Sequence, residues 1–273
     1  MDIIDGHAHA CGMLIDTEGV CKYRKDNHVD RVLLCAGEPG SKKIYKLPNL
    51  AKVFQSSRLI YINNAFTSLI IRISKMNEYI DQGNEKVALM AEEYPEYIMN
   101  TYWINPIEED CMNKMEDFRS RHSFFMLKLH QCWTNFDIQD ERVHSVIRWA
   151  DQNRIPIFIH LKTKDQVHGF ITLTKEFPNV TFILAHLIGI EEFDKTIGNN
   201  VYADLSCPLL HSVRMLQRAY DIFGPERLIL GSDAPYGDDN LRLAMNQMHE
   251  AGLSESEIEL ICGKNLLQVL GSL

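Results

Sequence analysis

Several features that mark specialised chains are missing from this sequence. No C-x-x-C pair occurs among its seven cysteines, which are scattered at positions 11, 21, 35, 111, 132, 207 and 262. Paired-thiol zinc motifs and a disulfide framework are therefore not expected, and the thiols read as reduced. No stretch approaches the roughly 18 uninterrupted apolar residues of a membrane span, so no membrane partner is expected. Basic runs are absent too, and 28 Lys plus Arg against 37 Asp plus Glu leave a formal net charge of −9. That balance suits solubility and gives little grip on phosphates, which argues against nucleic acid as a partner. The opening Met1-Asp2-Ile3-Ile4-Asp5 is acidic where a secretory signal carries positive charge, so the expected compartment is the cytoplasm. Low-complexity tracts, Gly/Ser linkers and internal repeats are likewise missing.

What is present is an ordinary folded composition of 273 residues, 24% charged and 45% hydrophobic. Short β-branched or apolar runs alternate with longer amphipathic stretches, the pattern of βα units in a parallel sheet. The runs at 2–6, 31–36, 98–104, 124–129, 155–161, 180–186, 201–205 and 227–231 read as eight strands. Helical patterns fall between them, as at 85–94, 107–121, 140–154, 165–177 and 210–223. Eight strands each followed by a helix predict an α/β fold, a (β/α)8 TIM barrel forming a single domain over 1–273. Residues 38–75 hold Pro39-Gly40, Pro48 and apolar patches at 59–66 and 69–73, more than one βα connection needs. They are expected as an insertion over the barrel mouth. Ser254 followed by Glu257 forms a capping-box pattern that starts a final helix over 254–270, outside the barrel.

The chemistry gathers at strand ends. His7 and His9 flank Ala8 just after the first predicted strand, and side chains at i and i+2 share a strand face, so one ion can take both imidazoles. His160 ends the fifth predicted strand, His186 the sixth, and Gly231-Ser232-Asp233 the eighth. In a (β/α)8 barrel the C-terminal strand ends converge on the catalytic face. Histidines plus a carboxylate form a ligand set for zinc or another first-row divalent ion, with a position left open for water. Each histidine alone is equally compatible with a packed core residue; convergence of the set is what packing does not require. His28, His122, His144, His168 and His249 fall in helices or turns and read as surface residues.

Taken in order, Asp5-Gly6-His7-Ala8-His9, Lys128-Leu129-His130, Ile159-His160, Ala185-His186, Gly231-Ser232-Asp233-Ala234-Pro235 and Ile261-Cys262-Gly263-Lys264-Asn265-Leu266-Leu267 resemble the amidohydrolase superfamily. More narrowly they resemble its amidohydrolase-2 branch, which holds metal-dependent hydrolases, hydratases, and decarboxylases such as aminocarboxymuconate-semialdehyde decarboxylase. The resemblance implies His7, His9, His160 and Asp233 as metal ligands. It also implies Asp233 as the base that takes a proton from water, and His186 as a ligand or as a catalytic group polarising a substrate carbonyl. One Zn2+ per chain is the implied cofactor and a small molecule the partner, and the resemblance allows a homodimer. The implied activity is hydrolysis of a C–N or C–O bond in a small polar substrate. A decarboxylase or hydratase of the same branch is the alternative, and a metal-stabilised barrel without turnover a further one.

Lys128 has three readings: a contact for a substrate carboxylate, an interior ion pair for instance with Asp5, or a carbamate bridging two metals. His130, Trp133 and Tyr236 are candidate substrate contacts, and His211 a candidate pocket residue. Cys207 has no basic partner in sequence and is not expected as a nucleophile. TatD-type nucleases, which carry an acidic residue where Lys128 stands, are disfavoured.

Overall fold

Eight parallel strands run in the order β1 to β8, each hydrogen-bonded to the next. They are β1 (Ile4–His9), β2 (Arg31–Cys35), β3 (Ile98–Trp103), β4 (Met126–His130), β5 (Ile157–His160), β6 (Phe182–Leu184), β7 (Val201–Asp204) and β8 (Leu228–Ile229). The computed structural model describes residues 2–46, 48–53 and 55–271, without the side chain of residue 50. The ends of the expected 1–273 domain, and Leu47 and Phe54 of the expected insertion, lie outside the described residues. Nearly every strand residue is buried, as expected of a parallel sheet covered by helices outside and by its own packed side chains within.

Around the strands pack α1 (Thr17–Asn27), α2 (Arg58–Ser74), α3 (Ile80–Glu93), α4 (Cys111–Arg121), α5 (Glu141–Asn153), α6 (Lys164–Glu176), α7 (Val213–Phe223) and α8 (Asn240–Glu250). Local chemistry sets their ends. Asp16, Asp140, Thr163 and Ser212 each cap an N-terminus by accepting from a backbone N–H of the first turn. The capping box of Ser254 and Glu257 is formed and opens α9 (Glu255–Glu259). The expected final helix is not uniform: a π-helical turn at Leu260–Lys264 separates α9 from α10 (Asn265–Val269).

The barrel closes where β8 meets β1. Gly6 N donates to Leu230 O at 2.9 Å and His9 N to Ala234 O at 2.8 Å. A Cβ at Gly6 would sit 2.7 Å from that carbonyl and 2.9 Å from Ile229, so only glycine lets the seam approach this closely. The architecture is the (β/α)8 TIM barrel expected from the alternating pattern. The insertion supplies α2, whose Ile60, Asn64 and Ile71 line a cavity together with residues at the strand ends, so it lies over the barrel mouth. α2 also exposes Ile62, Phe66, Ile70 and Ile73, of which Phe66 and Ile70 border the cavity. Among the described residues, no helix is long and apolar enough to cross a membrane.

Candidate metal centre

The first strand carries the motif further than the pattern suggested. β1 extends to His9 rather than stopping at Gly6, and a register shift between Asp5 and Ala8 interrupts its ladder with β2. Both imidazoles therefore stand on the strand itself, buried, with ring centroids 5.1 Å apart. Their Nε2 atoms face one oxygen: Asp233 Oδ1 lies 3.3 Å from that of His7 and 3.4 Å from that of His9.

The outer faces of the rings are fastened by groups that decide which nitrogen is free. His9 Nδ1 donates to Ala36 O at 2.8 Å, so Nε2 presents its lone pair inward. His7 stacks on Phe158 with centroids 4.2 Å apart. His186 follows β6 in a short turn, not on the strand as the pattern implied, and takes φ 53°. There its backbone N–H donates to Asp204 Oδ2 at 3.1 Å, and its Nδ1 donates to Ser206 Oγ at 2.8 Å. The Ser206 hydroxyl in turn donates to Asp204. This chain of donors leaves His186 Nε2 free. His7, His186 and Asp233 offer ligand atoms that all lie within 4.8 Å of one another.

Asp233 is placed by its own strand end. Its N–H donates to His7 O at 2.7 Å, and the preceding Ser232 is gripped by Asp5, whose carboxylate accepts from Ser232 N at 2.8 Å, Ser232 Oγ at 2.6 Å and Tyr23 OH at 2.7 Å. Burial pushes the Asp5 carboxyl up to about 6, against the pull of those donors. Burial acts on Asp233 in the same direction, yet the imidazoles of His186, His7 and His9 outweigh it and hold the carboxyl well below the usual range. Burial, reinforced by Lys128, keeps His7 neutral.

Lys128 is not paired with Asp5, correcting one of the readings offered for it: the Asp5 oxygens are taken by Ser232 and Tyr23. Its Nζ lies 3.3 Å from His7 Nε2, 3.3 Å from His9 Nε2 and 3.2 Å from Cys35 Sγ, and 4.6 Å from the centre of the Trp103 ring. It is 1% exposed and does not line the cavity. Cys35, on the Nδ1 side of His9, is a neighbour that no spacing in the sequence announced.

His160 stands one step away. Its ring lies 5.2 Å from that of His186 and stacks on His130 at 3.9 Å, with the planes 10° apart. His130, Cys132 and His160 also have ligand atoms within 4.8 Å. The stacked rings send their in-plane lone pairs in parallel, which is poor geometry for sharing an ion. His130, Trp133 and Tyr236 all line the cavity, as does Cys207, whose thiol is pushed far up by burial and then by Asp233. His211 does not line it: it is fully buried and donates from Nε2 to Leu205 O at 2.9 Å. Among the cavity residues that went unnoticed in the sequence are Glu38 after β2 and Asn64 on α2. Neither belongs to a motif.

The cavity measures about 270 Å³ and opens beneath α2, with His9, His160, His186 and Asp233 in its wall. Fold and site define a TIM barrel with imidazoles and a carboxylate gathered at its C-terminal mouth. The chain belongs to the amidohydrolase family, whose model matches residues 76–271 and so takes in His160, His186 and Asp233 but not β1. Similar solved structures cover 99% of this chain and are themselves covered to 99%. They include 5-carboxyvanillate decarboxylase from Sphingomonas paucimobilis (13% identity, TM-score 0.67) and 2,6-dihydroxybenzoate decarboxylase from Rhizobium (11%, 0.68). An amidohydrolase from Burkholderia multivorans solved with zinc bound is a third (12%, 0.65). At such identities the likeness is one of fold. No curated protein matches the sequence.

Proposed function

We propose that the protein is a metal-dependent hydrolase that cleaves a C–N or C–O bond in a small substrate held beneath α2. The observation that carries this reading is the approach of His7 Nε2 and His9 Nε2 to a single Asp233 oxygen in the cavity wall. The residues present fit a first-row divalent cation: His9 and His186 have their Nδ1 atoms occupied, His9 Nε2 is shared between Asp233 Oδ1 and Lys128 Nζ, His7 is neutral, and Asp233 is ionised. His7, His9, Asp233 and His186 would hold the ion, with His160 flanking. Zinc is the ion we favour. Once bound, it supplies Lewis acidity, which lowers the pKa of water and polarises a carbonyl.

The chain's own groups do the rest. Asp233, ionised at neutral pH, accepts the proton of the attacking water and returns it to the leaving nitrogen or oxygen. His186 presents Nε2 to the same place, as a ligand or, when protonated, as a donor to the substrate carbonyl. Hydrolysis is favoured over decarboxylation because no Lys or Arg is among the described residues lining the cavity, so a substrate carboxylate finds no guanidinium or lysine clamp there.

Elemental mass spectrometry on protein purified without chelator tests this. About one zinc per chain is expected, lost in the His7→Ala/His9→Ala variant, with turnover on a panel of amides, esters and lactones. Failure to bind zinc or manganese even after reconstitution overturns the reading.

A further inference from the structure

The cavity wall carries an acidic side chain whose side-chain partners among the described residues are hydroxyl donors. Glu38 follows β2 and lines the cavity; its carboxylate accepts from Tyr45 OH at 2.8 and 2.7 Å and from Tyr236 OH at 3.3 Å. Among the described residues, every side-chain hydrogen bond it receives comes from a phenol. Burial, together with Glu38 itself, pushes both phenols above their usual range, so they stay protonated and neutral. They donate hydrogen bonds without cancelling the charge.

Asn64 is a further polar residue of the cavity wall. Its Nδ2 donates to Leu161 O at 2.9 Å and Lys162 O at 3.3 Å. Carbonyls only accept, so this orients the amide and leaves Oδ1, in a side chain 1% exposed, without a donor among the described residues. That oxygen is closed off from solvent, so Asn64 shapes this wall without presenting a free acceptor to the cavity.

Tyr236 connects this region to the metal centre: its ring lies 5.3 Å from that of His9 while its hydroxyl reaches Glu38.

We propose that the cavity selects substrates bearing a cationic nitrogen group with N–H donors, an amine, amidine or guanidine, bound by Glu38 while the scissile bond faces Asp233 and His186. This rests on the cavity being the hydrolase's substrate site, and it narrows the substrate from small and polar to cationic. An anionic substrate would meet Glu38 as a like charge.

The test uses two probes of similar size, benzamidine and benzenesulfonate, titrated calorimetrically into zinc-reconstituted protein and its Glu38→Gln variant. Benzamidine is expected to bind about tenfold or more tightly than benzenesulfonate, the effect of one charge-assisted hydrogen bond, and Glu38→Gln to remove that preference. Benzenesulfonate binding as tightly as benzamidine in the parent protein, or a preference unchanged in Glu38→Gln, overturns the proposal. If the variant does not fold, the parent comparison decides alone. Zinc content measured beforehand separates the two ideas: its absence removes the hydrolase reading, whereas the probe pair reports on Glu38 in either case.

Discussion

Asp233 Oδ1 lies 3.3 Å from His7 Nε2 across the seam where the last strand meets the first. The Asp233 backbone N–H also donates to the His7 carbonyl at 2.7 Å, so the two residues are tied by main chain as well as by side chain. Closure of the barrel and assembly of the site are thus one structural event. Whatever disturbs the seam displaces the carboxylate from the imidazoles.

Replacing Asp233 with Asn keeps the shape and removes the proton acceptor. Turnover is expected to fall by about 10²- to 10⁴-fold, the usual contribution of a positioned base, while thermal stability stays close to that of the parent. Steady-state kinetics and a thermal melt check it; undiminished turnover would remove Asp233 from the proton path.

Gly6→Ala places a methyl group 2.7 Å from Leu230 O. Backbone cannot give way as a side-chain tip can, so a loss of about 1–3 kcal/mol in stability is expected, with a weakened metal site. Urea unfolding measures the first and metal titration the second. A variant as stable as the parent would mean that the seam is looser than these contacts indicate.

Ser206 holds His186 Nδ1 and relays to Asp204. Ser206→Ala frees the ring to rotate, and metal affinity is expected to drop by about 10- to 100-fold, as for other partners behind a metal-binding histidine. Competition with a chromophoric chelator reads this out. An unchanged affinity would leave His186 outside the metal's coordination.

His211 gives a pH signature. Burial lowers its imidazole to about 4, from 6.5 in an exposed chain. Between those values the unfolded chain binds a proton that the native protein refuses, so stability rises with pH from about 4 to 6.5 and is progressively lost as pH falls through that window. The contribution is about 3 kcal/mol. Urea midpoints from pH 4 to 7 should vary less steeply in His211→Gln, and equal slopes would contradict the buried, neutral state.

The parts of this protein legible in its sequence are those governed by near neighbours in the chain. Alternation of apolar strands with amphipathic helices marked the barrel, because a strand buried on both faces must be apolar nearly throughout. His7, His9, His160 and Asp233 could be picked out because each stands at or just past the end of such a run, and the fold brings all strand ends to one mouth. The capping box at Ser254 was equally plain, being a contact over three residues.

Tertiary structure decided the rest. That Asp5 grips Ser232 and not Lys128, that Cys35 and two imidazoles surround Lys128 Nζ, and that His211 turns away from the cavity all depend on pairings between distant strands. Glu38 and Asn64 belong to no pattern; they line the cavity because α2 lies over the mouth, and that placement comes from side-chain packing between segments far apart in the chain. Strand periodicity specifies which residues point into a barrel, whereas what covers the barrel is settled only when the loops find their contacts.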